Sequence, residues 1–300
     1  NRIQTDYQTQ FPRGVPHLHS LFYVLEDAID WLQAELALWP RPFVSYVHVL
    51  PPHEPYTTRR EFIDIFRDGW SPEPKPEDKF SERYDQTTLN QQRRQYDEYI
   101  AYADAEFGRL MQSLESQGVL DNTYVIVTSD HGELFERGIR GHVTSTLWEP
   151  VIHVPLLIAP PRQRERHDVW TPTSCVDLLP TLLQLAGRPS PDWCEGHVLP
   201  PFGEAQDDRS LFAVEAKSNP KHAPLRRATI TMIKGQYKLV RYIGYPEYEA
   251  SLQLRDLSAD PEEMANLYRD RTELAQELTQ ELNDRLAVAE ELQLNHQTSD

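Results

Sequence analysis

The chain has 300 residues, of which 39% are hydrophobic, and a formal net charge of −17 at pH 7. This length suits one large domain or two modest ones, and the hydrophobic content is sufficient for a buried core. The charge argues against nucleic acid as a partner but leaves open a small anionic substrate, since a bound cation can invert the field inside one cleft.

The first third of the chain predicts a helix and then a strand. Apolar residues recur at spacings of three and four over residues 20–39, which predicts a helix that ends at Pro40. The run FVSYVHVL, residues 43–50, is rich in β-branched and aromatic residues and predicts a strand. Residues 57–90 are mostly polar and indicate a long excursion with little regular structure, at the rim of the domain.

The middle of the chain alternates helices with apolar strands. The clearest helix covers residues 91–117, and Gly118 stands where a helix-ending glycine is expected. The runs TYVIVT and VIHVPLLIA predict strands, and residues 175–186 predict another helix. This alternation favours an α/β fold with a mostly parallel sheet sandwiched by helices, and we assign residues 1–205 to it.

From about residue 206 the pattern changes to short strands with tight turns. The runs LFAVEA, ATITMIKG, YKLVRYI and SLQLRDL have no helices between them, which predicts a small antiparallel sheet. An acidic amphipathic helix follows over residues 272–292. Residues 206–300 therefore form the second predicted domain, a small α+β subdomain.

Asp130 and His131 follow directly after the predicted strand TYVIVT. In a parallel sheet, ligands bind beyond the carboxyl ends of the strands, which favours a functional role for this pair. A carboxylate beside an imidazole offers half of a site for a divalent cation. The alternative is structural: Asp130 could cap a following helix, helped by Ser129.

Two more histidines lie in polar loops next to predicted strands. His53 follows the strand 43–50 within the stretch PPHEPY, and His142 precedes the apolar run 151–159. Each histidine alone is typical of an ordinary loop. Three such loops at one rim of a sheet favour a common site.

The motifs FVSYVHVLPPHEPY, VIVTSDHGELF, GIRGHV, VDLLPTLLQLAG and LRDLSADPEEMANL stand in this order along the chain. Together they resemble the sulfatase family of the alkaline-phosphatase superfamily, from about residue 40 to residue 290. The resemblance implies a large α/β sandwich with a small C-terminal antiparallel subdomain, and hydrolysis of sulfate esters. It also implies a divalent cation, usually Ca²⁺, with Mg²⁺, Mn²⁺ and Zn²⁺ as alternatives, and a formylglycine nucleophile made from Cys or Ser in a C-x-P-x-R-like motif.

The resemblance also assigns roles to residues. Asp130 and His131 correspond to the later pair of metal ligands. His142 corresponds to the residue that contacts the sulfate, and His53 to the histidine near the leaving-group oxygen, where it could act as a general acid.

The sequence departs from the family pattern in its nucleophile. It contains no C-x-P-x-R motif, neither Cys175 nor Cys194 fits one, and the family's early pair of aspartates is missing. The segment before PPHEPY is also much shorter than in the family. We therefore expect the chain to be a C-terminal portion of a sulfatase-like enzyme that does not turn over sulfate esters by itself.

Two other functions stay open. One is a phosphonate or phosphodiester hydrolase, or a phosphoethanolamine transferase, of the same superfamily, because an Asp-His pair suits transition metals somewhat better than Asp-Asn. The other is a non-catalytic relative that acts by binding. The expected partner is a small-molecule or glycan sulfate ester, with no nucleic acid and no membrane span in this chain. Cellular compartment and oligomeric state have no sequence signal.

Overall fold

The computed structural model describes most of the chain: residues 7–15, 17–18, 21–22, 24–67, 69, 71–219, 225–248 and 251–297. The chain divides into two compact units. The first unit runs over Asn1–Gly141 and Val154–Arg164, and the second over His142–His153 and Glu165–Asp300. The predicted boundary at residue 205 falls within the second unit.

Two helices form the main core of the first unit. Helix α1 spans Leu25–Leu36 and helix α2 spans Gln86–Ser116. Helix α2 begins five residues before its predicted start because the Asp85 side chain accepts a hydrogen bond from the Thr88 backbone N–H, at 2.9 Å. The apolar faces of both helices are buried in one core, whose buried members are Phe11, Leu25, Ile29, Leu32, Leu36, Tyr99, Tyr102, Leu110, Leu114 and Val119.

The strands of the first unit are short, and they form three separate pairs. Strands β1 and β2, His17–Leu18 and Leu21–Phe22, pair with each other. Strand β3, Val125–Thr128, pairs with β6, Leu156–Ala159, and the strands β4 and β5 between them form a hairpin. Strand β4 spans Leu134–Glu136, and strand β5 spans Ile139–Gly141.

The pairing of β3 with β6 corrects the predicted strand direction. The two strands are antiparallel, with Val125 opposite Ala159, and every described strand pair is antiparallel. A parallel neighbour needs a long crossover connection, usually a helix. The connection between β3 and β6 holds only the β4–β5 hairpin and one short helical turn, so the chain returns to the sheet at the end where it left.

The predicted strand over residues 43–50 is not formed. These residues belong to no helix or strand, and Val44 and Tyr46 expose 79% and 84% of their surface. A high β propensity favours extended backbone, but a strand also needs a neighbouring strand to bond with. Across the described residues, the segment 43–50 has no such neighbour.

The second unit contains the C-terminal sheet that the sequence predicts. Its four strands lie in the order β10-β9-β8-β7 and all pair antiparallel. Their bounds are β7 Ser210–Glu215, β8 Ala228–Lys234, β9 Tyr237–Ile243 and β10 Leu252–Asp256.

Three helices accompany this sheet. They are α3, Glu149–Ile152; α4, Leu178–Leu185; and α5, Thr272–Gln297. Helix α5 packs Leu278 and Leu282 into the same core as Leu239 of β9 and Leu254 of β10, which confirms its predicted apolar face. Among the described helices, none combines the length and apolar composition that a membrane span requires.

Candidate functional site

Asp130 and His131 lie in the turn between β3 and β4, two residues past the end of β3. No helix follows them, so Asp130 does not serve as a helix cap. Instead, the Asp130 carboxylate accepts a hydrogen bond from the His131 backbone N–H at 3.1 Å. The hydroxyl of Ser129 donates to the His131 carbonyl at 2.6 Å, which tightens the turn from within.

The two side chains converge on one small volume. Nε2 of His131 lies 3.8 Å from Oδ1 of Asp130, and the side chains are 32% and 60% exposed. Nδ1 of His131 lies 2.9 Å from the Gly132 carbonyl oxygen. Because a carbonyl oxygen only accepts, Nδ1 carries the proton and the lone pair is on Nε2, the atom nearer to Asp130.

The electrostatics keep the Asp130 carboxylate ionised. Partial burial acts to raise the pKa of Asp130. Electrostatic attraction to His131, the backbone N–H groups of Asp130 and His131 and, more weakly, attraction to His48 outweigh burial and lower that pKa below its ordinary value. An ionised carboxylate beside an imidazole lone pair is a donor set that a divalent cation can bind.

The distance between the Asp130 and His131 side chains is compatible with both binding one cation. A bound cation lies about 2.0–2.6 Å from each nitrogen or oxygen ligand, so two ligand atoms 3.8 Å apart can share it. The hydrogen bond from Nδ1 to Gly132 also fixes the ring, as is typical of metal-binding histidines. Across the described ranges, no group of three or more His, Cys, Asp or Glu side chains is arranged to hold a metal ion, so the pair supplies only part of a coordination shell.

An aromatic cluster holds the chain just beyond this turn. We use this name for Tyr56, Tyr84, Leu89, Tyr96 and Phe135. The Phe135 ring, in β4, lies 5.4 Å from the rings of Tyr56 and Tyr96, and Leu89 is fully buried. Because Phe135 is only four residues from His131, this packing fixes the C-terminal end of the turn.

Glu133 links the aromatic cluster to the turn. It is buried, and so is Tyr56. Burial raises the pKa of Tyr56, and the negative charge of Glu133 raises it further. Tyr56 therefore stays neutral near the carboxylate of Glu133, a residue three positions after Asp130.

The β4–β5 hairpin directly follows the turn that contains Asp130 and His131. Its two-residue turn has Arg137 and Gly138 at φ values of 57° and 75°, the left-handed backbone of a type I′ turn. A Cβ at position 138 would lie 2.1 Å from Oγ of Ser81, so this position requires glycine. The Gly138 carbonyl accepts hydrogen bonds from Glu82 and Tyr84, which dock the polar excursion onto the hairpin.

His53 lies in the loop after residues 43–50, where the sequence places it. Its Nδ1 lies 2.7 Å from the Glu54 carbonyl oxygen, so Nδ1 donates and Nε2 is the nitrogen that can accept or release a second proton. The Glu54 carboxylate pairs with Arg140, the middle residue of β5. The His53 loop and the β4–β5 hairpin are thus tied together within the first unit.

His142 belongs to the other compact unit. It follows Gly141 of β5 directly, but residues 142–153 group with the C-terminal sheet. The backbone N–H of Thr144 donates to the His142 carbonyl at 2.9 Å. The structure thus brings Asp130, His131 and His53 into one unit and places His142 in the second.

Three residues of this region were missed as site candidates from the sequence. His48 contributes to the lowered pKa of Asp130, and Tyr56 and Glu133 lie beside each other next to the turn. Tyr56 and Glu133 stand inside the motifs PPHEPY and SDHGE, so the motifs themselves held the signal. The two cysteines are both free thiols, Cys175 exposed and Cys194 half-buried.

Solved structures share the fold of this chain. The chain superposes on a phosphonate monoester hydrolase from Silicibacter pomeroyi with a TM-score of 0.70 at 22% identity, covering 92% of this chain and 63% of that one. It superposes on a 2-O GAG sulfatase with a TM-score of 0.60 at 17% identity, covering 91% and 66%. This likeness confirms the sulfatase-like α/β fold with its C-terminal sheet and helix.

Sequence comparison then identifies the family. The sulfatase profile matches residues 5–188, and the profile "N-sulphoglucosamine sulphohydrolase, C-terminal" matches residues 143–291. The chain belongs to the sulfatase family, and the predicted resemblance is confirmed.

Curated relatives include two sulfatases. Arylsulfatase K of Bos taurus is 30% identical over 297 residues, covering 86% of this chain and 53% of the relative. Choline-sulfatase of Rhizobium meliloti (strain 1021) is 32% identical over 252 residues, covering 76% and 46%. The chain therefore spans about half the length of these relatives.

Proposed function

We propose that the protein acts in the hydrolysis of sulfate esters, with Asp130 and His131 as two ligands of a divalent cation. The observation that carries the proposal is the convergence of an ionised carboxylate and a fixed imidazole at the end of β3, in a chain of the sulfatase family. Ca²⁺ is the expected cation, with Mg²⁺, Mn²⁺ and Zn²⁺ as alternatives. When bound, the cation would neutralise charge on the sulfate oxygens.

The chain's own residues then have distinct tasks. Asp130 and His131 would hold the cation. His142, when protonated, donates a hydrogen bond to a sulfuryl oxygen, where negative charge accumulates.

His53 donates a proton to the oxygen of the departing alcohol. Its Nδ1 is engaged by the Glu54 carbonyl, so the imidazolium donates from Nε2 and returns to the neutral tautomer that this hydrogen bond favours. The proposed nucleophile is a formylglycine hydrate, and these 300 residues contain no C-x-P-x-R motif for it.

Cation binding tests the metal assignment directly. Isothermal titration calorimetry of the 300-residue chain with CaCl₂, MgCl₂, MnCl₂ and ZnCl₂ should show binding to the wild type and at least about tenfold weaker binding to Asp130→Asn. Asp121→Asn is the matched control, because Asp121 is an exposed acid just before the other end of β3. Equal affinities for all three proteins would overturn the assignment.

The substrate class requires a separate assay. The complete gene product should hydrolyse 4-nitrophenyl sulfate faster than 4-nitrophenyl phenylphosphonate, measured as kcat/KM. Faster hydrolysis of the phosphonate ester would favour the alternative phosphonate hydrolase. Cation and sulfate binding without hydrolysis of either ester would favour a non-catalytic relative.

A further inference from the structure

The second unit contains a lysine that is completely buried. Lys238, in β9, exposes none of its side chain, and its Nζ lies 2.9 Å from Oε1 of Glu149 and 2.8 Å from Oε1 of Glu263. Lysine is almost never fully buried unless its charge is paired. We call Lys238, Glu149 and Glu263 the buried ion cluster.

The cluster joins the 142–153 segment to the C-terminal sheet. Glu149 begins helix α3 inside this segment, whereas Glu263 lies in the loop after β10. The second carboxylate oxygen of Glu263 accepts a hydrogen bond from the Glu149 backbone N–H at 2.8 Å. Glu263 therefore binds both the lysine of the sheet and the backbone of the segment.

Glu263 takes an unusual backbone conformation to make these contacts. Its φ is 53°, in the left-handed region that only a few per cent of non-glycine residues adopt, and it is 2% exposed. Such a conformation persists when surrounding contacts determine it. The two bonds of its carboxylate are contacts of this kind.

Two further contacts hold the same segment to the sheet. The hydroxyl of Thr229, in β8, donates to the Ser145 carbonyl at 2.5 Å. The guanidinium of Arg255, in β10, lies over the Trp148 ring at 5.3 Å from its centroid. The segment that begins with His142 is thus held at three successive points.

A buried charge cluster is a poor way to gain stability, because desolvation of the ions offsets their attraction. Its attested use is to fix one arrangement of the chain, since any other arrangement leaves a buried charge unpaired. Here the arrangement that it fixes is the position of the 142–153 segment.

We infer that Lys238 and Glu263 are positioning residues that hold His142 in place through the 142–153 segment. The inference rests on the proposed function only in the role that it gives to His142. It gives the C-terminal sheet a part in placing His142, although the sheet contributes none of the predicted site residues itself.

Hydrogen–deuterium exchange of the 300-residue chain tests the inference. In Lys238→Met, we expect exchange of the backbone amides of residues 142–153 to rise about tenfold more than exchange of the β7 amides, which report the loss of stability of the whole unit. Lys234→Met is the matched control. It removes a lysine from the neighbouring strand β8 that pairs with Glu281 of α5 and does not touch the segment.

Glu149→Gln is a milder variant for the case in which Lys238→Met fails to fold. It leaves Lys238 paired with Glu263 and removes only the charge on the segment. We expect faster exchange confined to residues 142–153, together with a changed ¹H–¹³C resonance of the His142 ring, assigned by its loss in His142→Gln. A role in stability alone would leave this resonance unchanged.

Unchanged exchange of residues 142–153 in both variants would overturn the inference. An increase at residues 142–153 no larger than the increase in the four strands would overturn it as well, since the cluster would then stabilise the unit without positioning the segment. A failure of the proposed function would be detected separately from a failure of this inference. Cation binding at Asp130 is measured on chains in which the buried ion cluster is unchanged.

Discussion

The two regions that carry the predicted site residues are held in opposite ways. The turn with Asp130 and His131 is fixed by short-range bonds among residues 129–132, and its side chains are partly open to solvent. The 142–153 segment is fixed by side chains 84 to 114 residues away in sequence, through a lysine with no exposed surface. We therefore expect substitution of the proposed ligands to have little effect on folding. Substitution of the residues that hold the 142–153 segment should destabilise the fold.

The largest expected effect is the loss of the buried lysine. Lys238→Met should lower the free energy of unfolding of the second unit by about 3–5 kcal/mol, because it leaves the buried carboxylate of Glu263 and the half-buried carboxylate of Glu149 without their cation. Urea denaturation followed by circular dichroism measures the loss. Lys234→Met should cost within about 1 kcal/mol, since its ion pair is partly exposed.

Loss of packing in the aromatic cluster next to the Asp130 turn should lower the unfolding free energy by a smaller amount. Tyr56→Leu removes the ring that packs against Phe135 and Tyr96. Because an aromatic pair contributes about 0.5–1.5 kcal/mol beyond its buried area, we expect a loss of about 1–3 kcal/mol in unfolding free energy. The same denaturation assay measures it. A loss as large as that of Lys238→Met would remove the contrast between the two regions.

A change at the turn itself should affect stability least. Because the Asp130 side chain is 60% exposed, Asp130→Asn should change the unfolding free energy by less than about 0.5 kcal/mol, even as it weakens cation binding. Thermal unfolding in the presence of EDTA isolates this effect from bound metal. A large drop in Tm under these conditions would show that Asp130 has a structural role.

The aromatic cluster predicts an alkaline limit for the first unit. Burial raises the pKa of Tyr96 to about 12, from an unfolded value near 10. Between these two values the unfolded chain binds fewer protons than the native chain. Stability that is complete below pH 10 should therefore decline as the pH rises toward 12. Tyr96→Phe should reduce the slope of unfolding free energy against pH over this interval, with no change below pH 9.

The sequence was most successful where local pattern decides structure. The apolar spacing in residues 91–117 and the short alternating runs after residue 206 predict elements that the structure confirms, with small shifts at their ends. It was wrong where a strand depends on a neighbour. Residues 43–50 have strand composition without a partner in the described part of the chain, and β6 pairs antiparallel because the connection from β3 lacks a crossover helix.

The same distinction between local pattern and distant contacts applies to the candidate site. Asp130 and His131 are adjacent in the sequence, so their convergence needs only a tight turn after a strand. The buried ion cluster has no such signal, since Lys238 reads as an ordinary charged residue within the strand YKLVRYI. Only its alternation with Val240 and Tyr242, both buried, places it on an inward face.

The sequence by itself determined the family, the long helices and the C-terminal strands, and the carboxylate and imidazoles that we propose for sulfate chemistry. Periodicity and short motifs carry that information because they act over a few residues. Only the tertiary structure decided that the His142 segment belongs with the C-terminal sheet and that a buried lysine holds it there. The physical reason is that a buried charge must find its partners wherever the fold brings them, and residues 149, 238 and 263 become neighbours only in the folded chain.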